Sequence, residues 1–222
     1  RYRMPFISGK DSLFNEFDGE AIPPTLLISA LGLVPDLGRA IDSAGMQPGD
    51  DIWLVGQGRA DLGGSLASDV FDLGASTVPV PLVDPLPRYQ AIHAAIAAGL
   101  ITAAHDSSDG GVAVALAEMA LAARLGISVV VPADGLDPFT SLVNEGPGRL
   151  VLTGSPENGD AIAAVLGDFG RRIGEVTGGD RIVIGTSSGT SDDTNSLDSH
   201  DLVLVELSMN QAVQAFTGRA AG

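Results

Sequence analysis

Seven consecutive residues carry most of this chain's chemistry. His105-Asp106-Ser107-Ser108-Asp109-Gly110-Gly111 holds two carboxylates, two hydroxyls, an imidazole and a glycine pair, ahead of an almost uncharged apolar run. Carboxylate and hydroxyl oxygens are the hard ligands that magnesium takes. Backbone N–H groups at a helix start suit phosphate. The same residue types also serve structure, since Asp106 or Ser108 can cap the following helix and His105 can be a structural hydrogen-bonder. The two roles are compatible, because a partly open helix N-terminus is itself an anion site.

A second polar loop, Gly9-Lys10-Asp11-Ser12, joins a glycine that lets backbone approach phosphate, a neutralising cation and a hydroxyl donor. A plain turn between strands has the same composition. It is not a Walker loop, since GxxxxGK[ST] is absent from the chain. Leu62-Gly63-Gly64-Ser65 reads as a weak phosphate loop or a tightly packed turn. Asn144-Glu145-Gly146-Pro147-Gly148-Arg149 sets acid and base in one turn, where a surface ion pair is the simple expectation and contributes little. His93 and His200 are scattered and read as solvated, so no Ser/His/Asp triad or histidine metal set can be assembled.

The elements that must position these groups follow from apolar patterning. Short strands are expected at Arg3 to Ser8, Thr25 to Val34 (buried on both faces), Asp51 to Gly56, Leu100 to Ala103, Ile127 to Val131, Gly148 to Thr153, Arg171 to Thr177, Arg181 to Thr186 and Leu202 to Leu207. Gly178-Gly179-Asp180 predicts a hairpin between two of them. Helices are expected at Ser65 to Phe71, Pro85 to Gly99 (started by Asp84), Gly110 to Leu125 (closed by Gly126), Asp137 to Val143, Pro156 to Leu166 (capped by Ser155) and Ser208 to Thr217. Residues 187–200 are nearly all polar and predict a mobile loop.

The 222 residues are 45% hydrophobic and 18% charged, an ordinary composition for a globular domain. A formal charge of −16 argues against non-specific binding to nucleic acid or anionic membranes. With no cysteine, disulfides, thiolate metal sites and cysteine nucleophiles are excluded. The start has no signal-peptide core. Its strand-like RMPFISG has no lead-in, so a piece of a longer chain is expected.

Taken together, several segments resemble the second half of the phosphoribosylformylglycinamidine synthase family. They are Pro5 to Glu16 (PFISGKDSLFNE), Ile22-Pro23-Pro24-Thr25, Leu62-Gly63-Gly64-Ser65, His105 to Gly111, and Ile173-Gly174-Glu175-Val176. The likeness runs to about Thr186. The HDxSDGG and GKDS motifs are specific together, whereas LGGS and IGEV occur across the wider aminoimidazole ribonucleotide synthetase-like superfamily.

The resemblance implies an α+β fold: an α/β-layered C-terminal domain over residues 46–222, preceded by the tail, residues 1–45, of an N-terminal ATP-binding domain. It implies a cytoplasmic ligase of purine biosynthesis, using ATP and Mg2+. Such an enzyme converts formylglycinamide ribonucleotide, with ammonia from a glutaminase subunit or domain, to the amidine. Residue by residue, Gly9 matches an ATP contact. Lys10 stands where short-form members often carry a metal-binding Asn, and so is assigned to ATP phosphate. Ser12 matches a substrate contact, Asp106 a magnesium ligand and Ser108 an ATP contact of long-form members, whose second nucleotide site is thought to be structural. The family's catalytic histidine lies in the other half of the synthetase. No catalytic residue is therefore expected here, and this chain alone is expected to be inactive. Two rivals stay open: another ATP-using enzyme of the superfamily, or a non-catalytic nucleotide-binding or scaffold module.

Overall fold

The computed structural model describes residues 2–9, 15–74, 76–187 and 202–218. Its centre is a seven-stranded mixed sheet. In chain order the described strands are β1 (Glu16–Phe17), β2 (Glu20–Ala21), β3 (Asp51–Val55), β4 (Ala103–Asp106), β5 (Gly126–Pro132), β6 (Leu150–Gly154), β7 (Gly170–Thr177), β8 (Arg181–Ser187) and β9 (Leu202–Ser208). The helices are α1 (Leu66–Phe71), α2 (Leu86–Ala97), α3 (Gly111–Ala123), α4 (Pro138–Val143), α5 (Gly159–Leu166) and α6 (Met209–Thr217). The sheet order is β4-β6-β3-β7-β5-β8-β9, and only the β5–β8 pair is parallel.

Helices cover both faces, which explains why β3, DIWLV, is buried at every position. Strand side chains alternate between faces. Ile52 and Leu54 point to one core with Val112, Leu116 and Met119 of α3 and Leu142 of α4. Trp53 and Val55 point to the other with Ile92 and Ala95 of α2 and Ile162 and Leu166 of α5. The result is an α/β-layered α+β domain of the kind expected. Among the described residues no helix is long and apolar enough to cross a membrane.

Several expected elements differ. The Gly178-Gly179-Asp180 hairpin does not form, because β5 lies between β7 and β8 and pairs with both. Gly126 admits β5 to that slot. Its N–H donates to Gly179 O at 2.7 Å, and a Cβ there would meet Arg181 O at 2.6 Å and Gly179 O at 2.9 Å. That leaves Gly126 as the first residue of β5, and α3 is closed by Arg124 in the left-handed region (φ 58°). At α2, Pro85 stands at the N-cap without a side-chain bond, in place of Asp84. Residues Pro156–Asn158 form a 3-10 turn before α5, and the Ser155 hydroxyl donates to Glu157 instead of capping. Ser65, Asp137 and Ser208, the first residues of three expected helices, stand at their N-caps, the last in a capping box with Gln211.

The largest correction concerns the first forty residues. Neither Arg3 to Ser8 nor Thr25 to Val34 is a strand, and Leu26, Leu27, Leu31 and Leu33 are exposed. A strand needs a neighbouring backbone and its apolar side chains need a face. The described residues offer these segments neither. Among the described residues the only strand pairing before residue 45 is the two-residue β1–β2 hairpin. Packing against the sheet begins at Ile41, and Met46 is buried.

Candidate functional site

The strand expected at Leu100 to Ala103 is displaced to Ala103–Asp106, and this places the acidic turn. β4 is an edge strand, paired only with β6, and its last residue is Asp106, opposite Leu150. Ser107 N–H then donates to Arg149 O at 3.0 Å, which pins the turn to the start of β6. His105 ties the strand end to α3. Its Nδ1 lies 2.7 Å from Asp106 O, and its Nε2 lies 3.2 Å from Glu118 Oε2. The structural role of His105 is therefore visible in the geometry.

Neither Asp106 nor Ser108 caps α3. The Ser108 hydroxyl donates to Asp106 Oδ2, and the N-cap is Gly110, at φ 80° and without a side-chain bond. The next residue needs glycine as well. A Cβ on Gly111, at φ 71°, would meet Val143 C at 2.5 Å and Leu142 O at 2.6 Å, so α3 begins pressed against the end of α4. The Gly110 N–H donates to Glu145 Oε1 at 2.7 Å.

Glu145 and Arg149 do not form the expected surface ion pair. Glu145 Oε1 also accepts the Leu66 N–H at 2.9 Å, so one carboxylate oxygen serves the starts of both α1 and α3. Arg149 is only 1% exposed, and its guanidinium donates to the backbone carbonyls of Asn144 (3.2 Å) and Ser141 (3.3 Å). Burial lowers its pKa to about 10, partly offset by Asp134, which leaves it cationic at neutral pH. Beside them in the chain, buried Asn144 accepts the N–H groups of Arg59 and Gly146 and donates to Asp61 O. The NEGPGR segment thus joins the glycine-rich turn to the acidic turn. Leu62-Gly63-Gly64-Ser65 itself is a packed capping turn. The Ser65 hydroxyl accepts Ser68 N–H, and a Cβ on Gly63 would meet Ser76 O at 2.4 Å.

These pieces surround an open cleft of about 400 Å³, walled by residues 106–109, Glu145, residues 147–150 and Tyr89 of α2. Asp106 and Ser108 share it. The Asp106 side chain is 69% exposed and available to a ligand. The Tyr89 phenol is pushed up in pKa, first by burial and then by its neighbour Tyr2, whose ring centroid lies 6.0 Å away. Tyr89 is therefore a neutral donor. Among the described residues no group of three or more His, Asp or Glu side chains is placed to hold a metal. Any divalent cation at Asp106 would take its remaining ligands from phosphate and water. Gly9 is exposed with open space around it. Lys10, Ser12 and residues 188–200 lie outside the described residues. Tyr89 carried no signal in the sequence, while Glu145 and Arg149 stood in a motif whose pairing was misread.

Residues 47–186 match the family described as AIR synthase related protein, C-terminal domain. Among curated proteins, the phosphoribosylformylglycinamidine synthase subunit PurL of Limosilactobacillus reuteri is 35% identical over 191 residues, covering 85% of this chain and 25% of that protein. The PurL subunit of Brucella ovis is 39% identical over 188 residues, with 82% and 25% covered. The chain thus spans about a quarter of the length of the curated relatives it matches. A solved structure of T. maritima PurL complexed with FGAR superposes with a TM-score of 0.62 at 21% identity, over 79% of this chain and 30% of that one. That likeness speaks for the fold.

Proposed function

The chain belongs to the family of AIR synthase related proteins, C-terminal domain, and from that premise we propose that it is the C-terminal part of an ATP-dependent synthetase of purine biosynthesis. The whole enzyme would convert formylglycinamide ribonucleotide and glutamine-derived ammonia to formylglycinamidine ribonucleotide. Residues 46–222 would be its second C-terminal domain and residues 1–45 the tail of the preceding domain. Identity of 35–39% to PurL subunits supports this reading. ATP with Mg2+ would supply a phosphoryl group that turns the amide oxygen into a leaving group for ammonia to displace. The glutaminase subunit or domain and the other half of the synthetase are the partners this requires, and the cytoplasm is the compartment that suits it.

This chain's own share is to bind nucleotide. The observation that carries it is that Asp106 and Ser108 line one open cleft. Asp106 would hold Mg2+ with Ser108 beside the phosphates, while Gly9 and Lys10 would contact ATP and Ser12 the substrate. The Tyr2–Tyr89 contact brings the N-terminal segment to the wall of this cleft. Calorimetric titration with MgADP tests the reading. Asp106→Asn should weaken binding by about tenfold or more, since even outer-shell partners of a metal matter that much. Unchanged affinity in the variant would sink the assignment of Asp106. Turnover of formylglycinamide ribonucleotide by this chain alone would contradict its expected inactivity.

A further inference from the structure

From Gly111 to Ala123, α3 reads GVAVALAEMALAA, and Glu118 is its single charge. Its neighbours on the helix, Ala115 and Met119, are buried in the core. A carboxylate set against such a surface needs a partner. The partner is His105 of β4, whose Nε2 lies 3.2 Å from Glu118 Oε2. The other ring nitrogen faces Asp106. Asp106 O is a carbonyl and can only accept, so Nδ1 donates to it at 2.7 Å. The same nitrogen lies 3.6 Å from Asp106 Oδ1. Glu118, His105 and Asp106 thus form one line from the middle of α3 to the end of the edge strand. The Glu118 side chain is 36% exposed, and an ion pair that open to water adds little stability.

What the line does govern is the direction of Asp106. Among the described residues, the hydrogen bond to its carboxylate comes from the Ser108 hydroxyl, which belongs to the same turn. The carboxylate therefore takes its direction from the backbone at the end of β4. Ser107 N–H secures that backbone to Arg149 O on one side, and His105 secures it through Asp106 O on the other. We propose that Glu118 is a positioning residue: it fixes the His105 ring, which through Asp106 O aims the Asp106 carboxylate at a divalent cation. This rests on the assignment of Asp106 to Mg2+ made above. The donor set suits that ion, because carboxylate and hydroxyl oxygens are hard ligands. Groups that hold a ligand without touching the metal set its orientation, and losing one costs about 10–100-fold in metal affinity.

Calorimetric titration with MgADP tests the relay on the unaltered chain, Glu118→Ala, Asp106→Asn and the double variant. Glu118→Ala should weaken binding about tenfold. In the Asp106→Asn background the same change should do nothing further, because the carboxylate it directs is gone. Equal losses in both backgrounds would mean a general disturbance of α3 and would overturn the proposal, as would full affinity in Glu118→Ala. Glu118→Gln keeps an oxygen that accepts from Nε2 and should restore most of the affinity. A Gln variant as weak as the Ala variant overturns the positioning role. Failure of the nucleotide reading looks different: the unaltered chain does not bind MgADP, or Asp106→Asn binds it equally well, and the proposal then falls with that reading. The unaltered chain also supplies a measurement that needs no variant. With Mn2+ in place of Mg2+, the paramagnetic ion held by Asp106 should broaden the NMR signals of the His105 ring protons on addition of ADP. Ring signals that stay sharp while MnADP binds overturn the proposal.

Discussion

Leu54 and Leu27 sit in runs of much the same apolar character, DIWLV and TLLISALGLV, yet Leu54 is 0% exposed and Leu27 is 87% exposed. The first run has strands on both sides and helices on both faces. The second has neither among the described residues. Apolar content therefore marks a segment that needs to be covered, and the backbone that supplies the cover need not be nearby in the chain. In the proposed synthetase, the cover for residues 25–34 would come from the domain to which they belong.

Three pairs of measurements break or sharpen this contrast. The largest effect is expected from Leu54→Ala, which should cost about 2–5 kcal/mol in chemical denaturation, as large-to-small changes in packed cores do. Leu27→Ala should stay within about 0.5 kcal/mol, and a comparable loss at both sites would show that the N-terminal run is packed after all. Glycine to alanine draws the same line with smaller numbers. Gly126→Ala should cost about 1–3 kcal/mol, because its methyl would press on the carbonyls of β8 and its preceding turn. Gly32→Ala meets open space and should be neutral or slightly stabilising. Thermal unfolding would read both, and a costly Gly32→Ala would break the comparison. The smallest effect concerns the cap of α4. Hydrogen bonds from Thr140 hold the Asp137 carboxyl below its usual range, so its stabilising share is present above the unfolded carboxylate pKa and fades as pH falls through the folded one. Asp137→Asn keeps a capping oxygen but does not titrate. Any advantage of the unaltered chain, a few tenths of a kcal/mol for an exposed carboxylate, should therefore shrink on acidification. An advantage that grows in acid would reverse the argument.

Locally encoded elements were legible in the chain. The helices begun by Ser65, Asp137 and Ser208 start where the sequence places them, each capped by a hydrogen bond within one turn, whereas the caps read from residue type at Asp84, Ser155 and Asp106 or Ser108 do not form. Partners from far along the chain were not legible. The Gly-Gly-Asp turn is a good hairpin signal, but Gly126, more than fifty residues upstream of β8, opens the strand that splits the pair. The site divides in the same way. Asp106 and Ser108 were identified from their motif and do share a cleft. Glu145 was read with its sequence neighbour Arg149, whereas its partners are the amides of Gly110 and Leu66, 35 and 79 residues away. Arg149 looked like surface charge because nothing in its local sequence announces that β6 will carry it into the interior.

Asp106 ends β4 and α6 follows β9, and these two strands form opposite edges of the seven-stranded sheet. Six inter-strand steps separate them, about 29 Å at the usual spacing. That is several times the range over which side-chain changes influence one another. Free-energy changes made at the acidic turn and along the outer edge of β9 should therefore add without coupling, whereas α6 folds back onto α3 and shares a core with the helix that follows the acidic turn.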